Sequence, residues 1–107
     1  MSFIGCRSSG LITADTLVHT GRCKLVSIHG YNEHTSDICV VVIYDNTAGS
    51  GKVVAKFLLN PLQRDPGGGQ PAHSAGSLEF DMHGVICHNG LYVDVTGGTP
   101  MLTVEYA

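Results

Sequence analysis

The chain has 107 residues, which is the size of one domain with a single hydrophobic core. Its six Lys and Arg residues against nine Asp and Glu give a net charge of −3, which argues against a nucleic-acid partner because phosphate backbones bind basic surfaces. Charged residues are only 14 % of the chain, against about 25 % in an ordinary domain, which fits either a protein packed among other proteins or a small β-protein with a Ser, Thr and Gly surface.

The sequence also lacks membrane and export signals. No run approaches the roughly 18 apolar residues of a spanning helix, and the opening MSFIGCRSSG has no basic segment followed by an apolar one. We therefore expect no membrane partner and a chain that is made and kept in a cytoplasm. There the widely spaced cysteines should be buried, reduced thiols. These are Cys6, Cys23, Cys39 and Cys87.

The first 15 residues predict an extended N-terminal arm. Two short apolar pieces, residues 3–4 and 11–12, are separated by Gly and Ser, and no periodic pattern is long enough to form an independent element. Such an arm can form an edge strand on its own domain or add a strand to a neighbour. A frayed terminus is the alternative.

The domain proper is expected to span residues 16–107 and to begin with two strands. Residues 16–20 and 22–29 have strand patterns and are divided by Gly21. Residues 30–36 are polar and contain Gly and Asn, which predicts a loop.

A β-hairpin is predicted next. The run of β-branched and apolar residues at 38–44 indicates a central strand, and Asp, Asn and Gly at 45–51 supply a turn. The segment 52–59 is the return strand. Alternation assigns Val53 to the same face as Ala55 and Phe57, and Val54 to the opposite face.

Residues 60–76 predict a long Pro/Gly-rich loop. They contain three of the four prolines, which remove backbone donors, together with four glycines. A loop of this length inside a compact domain is usually functional or disordered. It is therefore the first candidate for a contact loop, with linker-like disorder as the alternative.

The C-terminal third again alternates between strands and turns. Residues 77–88 predict a half-exposed strand, and Asn89-Gly90 is the strongest two-residue hairpin signal. Strands at 91–96 and 101–106 follow, separated by a Gly/Pro turn. About eight short strands without a substantial helix predict an all-β fold, an antiparallel β-sandwich of jelly-roll or Ig-like type.

Candidate chemistry is weak. The tightest His and Cys cluster is His83, Cys87 and His88, but Cys87 and His88 point to opposite faces of a strand, so we expect no metal site and no cofactor. A ring of His side chains across an oligomer axis stays open. Glu79 and Asp81 share a strand face of ordinary solvated character, and no nucleophile is paired with a base. The chain is therefore not expected to be an enzyme.

Three segments together resemble a type of short protein encoded by tailed bacteriophages. They are HTGRCKLVSIHG, VVVIYDNTAGSGKVVAKF and HGVICHNGLYVDVTGGTPMLTVEY, which cover roughly residues 16–59 and 83–106. The resemblance implies a virion structural protein, of the capsid decoration (cement) type. Such proteins are commonly homotrimers on the outer surface of the expanded head, where they bridge capsid subunits. The pattern contains no catalytic residue that could be carried over.

The implied partners are the major capsid protein and further copies of the chain, with assembly in the cytoplasm of the host bacterium. Burial of apolar groups across subunit boundaries would stabilise only the assembled shell, by mass action. The candidate contact residues lie in the arm and in the long loop. They are Phe3, Ile4, Leu11, Ile12, Leu62, Arg64 and Gln70.

Two alternatives stay open. Tail, head-fibre and adaptor components of a virion share the same architecture. A β-sandwich can also be a lectin-like carbohydrate-binding module, which needs exposed aromatic rings that stack on sugars. The chain has no Trp, and its four Tyr residues lie mostly within strand patterns.

Overall fold

The computed structural model describes residues 5–61 and 78–107, and this part of the chain is all-β. It contains eight strands, which confirms the predicted all-β fold. None of the described residues forms a helix that is long and apolar enough to cross a membrane. The strands are β1 (Arg7–Ile12), β2 (Thr16–Thr20), β3 (Cys23–Asn32), β4 (Cys39–Asp45), β5 (Lys52–Leu59), β6 (Leu78–Cys87), β7 (Gly90–Thr96) and β8 (Pro100–Tyr106).

The strands form two four-stranded antiparallel sheets. Sheet A has the order β1-β8-β3-β6, and sheet B has the order β2-β7-β4-β5. The connection between two consecutive strands either crosses from one sheet to the other or forms a hairpin within a single sheet. The first and last strands are neighbours in sheet A. This order is that of an eight-stranded jelly roll, and it excludes the Ig-like arrangement for the described strands.

The core lies between the two sheets and follows from strand alternation. In β4 every second residue is buried, and β7 and β5 flank this strand on its two sides, so it is central as predicted. The inward residues form one hydrophobic cluster. Its members are Ile12, Cys23, Leu25, Ile28, Cys39, Val41, Ile43, Leu59, Cys87, Leu91, Val93, Leu102 and Val104.

The N-terminal segment is partly incorporated into the sandwich. β1 pairs with β8, so residues 7–12 of the predicted arm form an edge strand on their own domain. Ile12 is 2 % exposed and belongs to the core, which removes it from the surface available to a partner. Leu11 is 67 % exposed on the outer side of sheet A, and its contact role stays a prediction.

Several predicted residues lie outside the described part of the chain. These are Phe3 and Ile4 of the arm, and Leu62, Arg64 and Gln70 of the long loop, of which only residues 60 and 61 are described.

A β-bulge overturns one face assignment in β5. The register between β4 and β5 shifts between Ile43 and Tyr44, so that Tyr44 pairs with Val53. Val53 is consequently 49 % exposed, whereas Val54 packs against the core with Ala55. The predicted alternation was wrong here because one extra residue reverses the faces of the strand beyond it.

All four cysteines are free thiols. Cys23, Cys39 and Cys87 are buried, which confirms the expectation for these three, and Cys6 is exposed.

Candidate functional site

The outer side of sheet B carries a stripe of apolar side chains. On the central strand β4, Val40 and Val42 point outward, opposite in direction to the buried Val41. Val40 pairs with Leu58 of the edge strand β5, and Leu58 is 64 % exposed. Ile38, half exposed just before β4, extends the stripe. We call these four residues, Ile38, Val40, Val42 and Leu58, the apolar face.

An apolar outer side is unusual for an antiparallel sandwich. Such sheets normally alternate between apolar residues on the core side and polar residues on the solvated side. Here β4 is apolar on both sides, which is the pattern of a strand that is covered on both faces. Covering this surface with another apolar surface therefore lowers the free energy of the system.

Two opposite charges border the apolar face. Val42 has Lys56 of β5 as its partner on one side and Asp94 of β7 as its partner on the other. Neither charge belongs to a salt bridge among residues 5–61 and 78–107. A cation and an anion therefore flank the centre of the stripe, where they can orient a partner.

The β4–β5 loop limits the face on the β7 side. A methyl group placed on Gly49 would lie 2.8 Å from Asp94 Oδ2 and 3.3 Å from the Tyr92 ring, so this loop folds back onto β7. Tyr44 and Tyr92 on the outer side are correspondingly half-buried. The open part of sheet B is thus the end that carries the apolar face.

The outer side of sheet A carries a polar cluster at its centre, between the exposed Leu11 on one edge strand and Ile86 on the other. Glu105 Oε1 accepts a hydrogen bond from Ser27 Oγ at 2.8 Å and lies 2.8 Å from His29 Nε2. These contacts, with Ser27 contributing most, hold the pKa of Glu105 below its usual range. Glu79 and Asp81 are the strand partners of His29 and Ser27 on β6. This side of the molecule suits contact with water.

The Ser27, His29 and Glu105 cluster does not have the geometry of a catalytic triad. In a triad the histidine contacts the serine through one ring nitrogen and the acid through the other. Here Nε2 of His29 contacts both, at 3.2 Å from Ser27 Oγ, and the serine hydroxyl donates directly to the carboxylate. The hydroxyl proton is therefore directed to the acid, and the arrangement does not activate the serine as a nucleophile.

The histidines and cysteines singled out in the sequence are not brought together. Cys87 is buried in the core, while His88 and His83 are exposed, and His83 lies in a bulge with a φ of 54°. Within the described ranges, no group of three or more His, Cys, Asp or Glu side chains could hold a metal ion.

An open depression of about 380 Å³ lies between the β1–β2 and β7–β8 connections. Thr13, Asp15, Gly97 and Gly98 contribute to its lining, and Asp15 Oδ1 accepts a hydrogen bond from the Val95 amide at 2.8 Å. None of its described lining residues is aromatic, so these residues offer no ring that could stack on a sugar.

Asp45 has a structural role that the sequence did not reveal. The sequence assigns it to an exposed hairpin turn, but it is only 5 % exposed and points toward the β6–β7 turn. Its carboxylate accepts hydrogen bonds from the amides of His88 at 3.0 Å and Asn89 at 2.8 Å, with Gly90 at 3.4 Å. These amides, His88 first, lower the pKa of Asp45.

Asp45→Asn is expected to lower the free energy of unfolding at pH 7 by about 2 kcal/mol, since charge-assisted hydrogen bonds are lost. Because the pKa of Asp45 is lower in the folded state, its contribution is present above the unfolded pKa. It is lost as the pH falls below about 4 and through the folded pKa. Urea unfolding at pH 7 and pH 2.5 should show the two proteins converging in acid, and an equal gap at both pH values would contradict this role.

Of the contact residues predicted from the sequence, only Leu11 and Ile12 lie in the described part of the chain, and neither belongs to the apolar face. Leu11 is on the outer side of sheet A, and Ile12 is in the core. The signal that could have identified the face was the uniformly apolar run at 38–44, together with the adjacent Leu58 and Leu59. No family model matches the chain, and no curated protein or solved structure was found to be similar to it.

Proposed function

We propose that the chain is a structural protein of a bacteriophage virion, of the capsid decoration type. It stabilises the expanded head by bridging capsid subunits on the outer surface. The observation that carries this proposal is the apolar face of sheet B, which suits a permanent contact with another protein. The resemblance in sequence supplies the kind of particle, and the face supplies the means of attachment.

Burial of this face provides the binding energy. Covering a fully exposed Leu, Val or Ile side chain is worth about 1.5–3 kcal/mol, so the partly exposed residues of the apolar face contribute a few kcal/mol per copy. That is modest for one molecule. Repeated over a shell, it favours the assembled state by mass action without any chemical step.

The contrast between the two sheets supports attachment from one side. Sheet A presents Glu79, Asp81 and Glu105 with His29 on its outer side. Desolvating these groups would be costly, so this side is expected to face the solvent. A molecule with an apolar face on one sheet and a cluster of charged groups at the centre of the other is suited to the outside of a shell. The low overall charge agrees with the same arrangement.

The fold is compatible with this function but does not select it. Jelly rolls are found in viral capsid proteins and in lectins, among other classes. The depression near Asp15 gives the lectin-like alternative no support, because none of its described lining residues is aromatic. A tail, head-fibre or adaptor component would use the same apolar face, so it stays the alternative within the virion. The major capsid protein and a homotrimer of the chain are the partners of the proposal.

Leu58→Glu tests whether the apolar face, and not another part of the surface, binds the capsid. A buried carboxylate at this position should weaken retention on purified expanded heads of the encoding phage by tenfold or more, equivalent to about 1.4 kcal/mol. Leu58 is exposed, so the melting temperature should change little. The measurement is co-sedimentation with heads over a range of protein concentrations.

Ile86→Glu is the matched control. Ile86 is also an exposed apolar strand residue, 41 % exposed, but it lies on sheet A opposite Lys24. This variant should bind heads like the parent protein. Equal binding by all three proteins would exclude the apolar face as the attachment surface, and retention on a glycan array instead would favour the lectin-like alternative.

A further inference from the structure

Two buried thiols oppose each other at one end of sheet A. Cys23 is the first residue of β3, Cys87 is the last of β6, and the two are direct partners in the antiparallel pairing. Both side chains point into the core, where Cys23 is 5 % exposed and Cys87 is fully buried. The two thiols are close enough for each to influence the pKa of the other.

This position satisfies the backbone requirements of a disulfide. Direct partners on antiparallel strands have Cα atoms about 4.5–5.5 Å apart, and disulfides span Cα separations of about 4.4–6.8 Å. Both side chains are buried on the core side of sheet A at directly paired positions, so they lie on the same face of the strand pair. Cys39, the third buried cysteine, lies on sheet B and is not paired with either strand.

We propose that Cys23 and Cys87 are the site of a reversible cross-strand disulfide, which forms from the dithiol when the protein meets a small disulfide oxidant such as glutathione disulfide. One cysteine thiolate attacks the oxidant, which gives a mixed disulfide and releases one glutathione. The other cysteine then displaces the second glutathione. The pair loses two protons and two electrons, and one glutathione disulfide becomes two glutathione molecules.

The edge position of β6 gives the oxidant a route to the thiols. Among the described strands β6 pairs with β3 alone, and this pairing is interrupted by the bulge at His83 and Gly84, both with positive φ. Separation of the end of β6 from β3, with release of the following turn from Asp45, would expose Cys87. Burial raises the pKa of Cys87 to about 11, so the reaction should be slow at pH 7 and faster at pH 9.

The bond would fasten an edge strand to the centre of sheet A. It would close a loop of more than 60 residues, the class of crosslink that most restricts the unfolded chain. In a virion it would form after the particle leaves the reducing cytoplasm. Only this statement about the virion rests on the proposed function. The thiol chemistry itself can be tested without capsids.

The experiment uses the full chain with Cys6→Ser, which removes the exposed thiol and leaves three of the four cysteines. The folded protein is incubated with glutathione disulfide at pH 9, then unfolded and alkylated, and the alkylated thiols are counted by mass spectrometry. The count should fall from three to one, with the bond mapped to the peptides of Cys23 and Cys87. The melting temperature should rise by at least about 5 °C and return on reduction.

Two further variants keep the outcome decisive. Adding Cys39→Ala should leave the disulfide and the rise in melting temperature intact, whereas adding Cys87→Ala should abolish both. The same chain unfolded in urea serves as the reference for time, because it shows how long glutathione disulfide needs to oxidise accessible thiols. The proposal is overturned if the folded protein keeps all three thiols for that time, carries a stable glutathione adduct, or forms a bond through Cys39.

Discussion

Replacing Asn32 with alanine is expected to lower the free energy of unfolding by about 4 kcal/mol, because this buried amide joins three connections of the sandwich. Its Nδ2 donates to the carbonyl oxygens of Asp37 at 2.8 Å and Leu59 at 3.1 Å. Its Oδ1 accepts from the amides of His34 at 3.0 Å and Thr99 at 2.9 Å. Asn32 is fully buried, so its hydrogen-bonding capacity is used within the protein.

The size of the effect follows from what the substitution leaves behind. Alanine removes the side-chain partner of two backbone donors and of two backbone acceptors, and each buried group left unsatisfied costs about 1–3 kcal/mol. Water entering the vacated space will satisfy some of them, which keeps the total below the simple sum. A loss of about 4 kcal/mol is a large share of the 5–15 kcal/mol typical of a domain. The melting temperature should therefore fall by at least about 15 °C.

Asn46→Ala provides the matched control, because Asn46 makes the same kind of contact in an exposed turn. Its Nδ2 donates to the carbonyl of Ser50 at 2.7 Å. Water can replace that bond, so the cost should stay below about 1 kcal/mol. Urea unfolding of the two variants measures the difference. Similar losses of unfolding free energy for Asn32→Ala and Asn46→Ala would contradict the role of the buried Asn32 amide in joining the three connections.

Gly30→Ala is expected to be the second severe substitution, at about 4 kcal/mol. β3 and β8 approach closely at Gly30, which pairs with Leu102. A Cβ at this position would meet the carbonyl oxygen of Met101 and would lie 2.9 Å from Leu102 Cα. These are backbone atoms in the middle of a sheet, so relief of the clash requires the two strands to move apart.

Gly21→Ala is the matched control, because it introduces backbone strain without the steric clash expected at Gly30. Gly21 has a φ of 91°, and an added Cβ meets nothing within 4 Å. Its replacement should cost only the roughly 1–2 kcal/mol of placing an L-residue at positive φ. Thermal and urea unfolding of both variants should therefore differ by at least about 2 kcal/mol. Equal losses would mean that strands β3 and β8 can adapt to a methyl group at Gly30.

Much of the strand layout could be predicted, because local signals and tertiary structure agree. The apolar run at 38–44 and the alternation in the C-terminal strands correspond to observed elements. The hairpin predicted at Asn89-Gly90 was wrong, because β6 and β7 lie in different sheets and this turn connects one sheet to the other. The end of β3 could not be predicted. Gly30 and Asn32 have the chemistry of loop residues, but the strand continues through them because a close strand approach needs glycine and the buried connections need an amide.

The contact roles of the arm and of the Pro/Gly-rich loop stay predictions, which rest on the frequent occurrence of functional residues in irregular segments. The apolar face could not be predicted from the sequence, because it consists of ordinary strand residues. Whether Val40, Val42 or Leu58 is inside or outside depends on the second sheet. Asp45 shows the same limit, since only the fold brings it to amides more than 40 positions away.

The most direct test of the proposed function is an electron cryomicroscopy map of expanded heads incubated with the purified chain. The account predicts additional density of jelly-roll shape on the outer surface, with Val40, Val42 and Leu58 against capsid subunits. Sheet A, with Glu105 and His29, should face the solvent. Heads without such density, or a bound chain whose apolar face is open to solvent, would contradict the account.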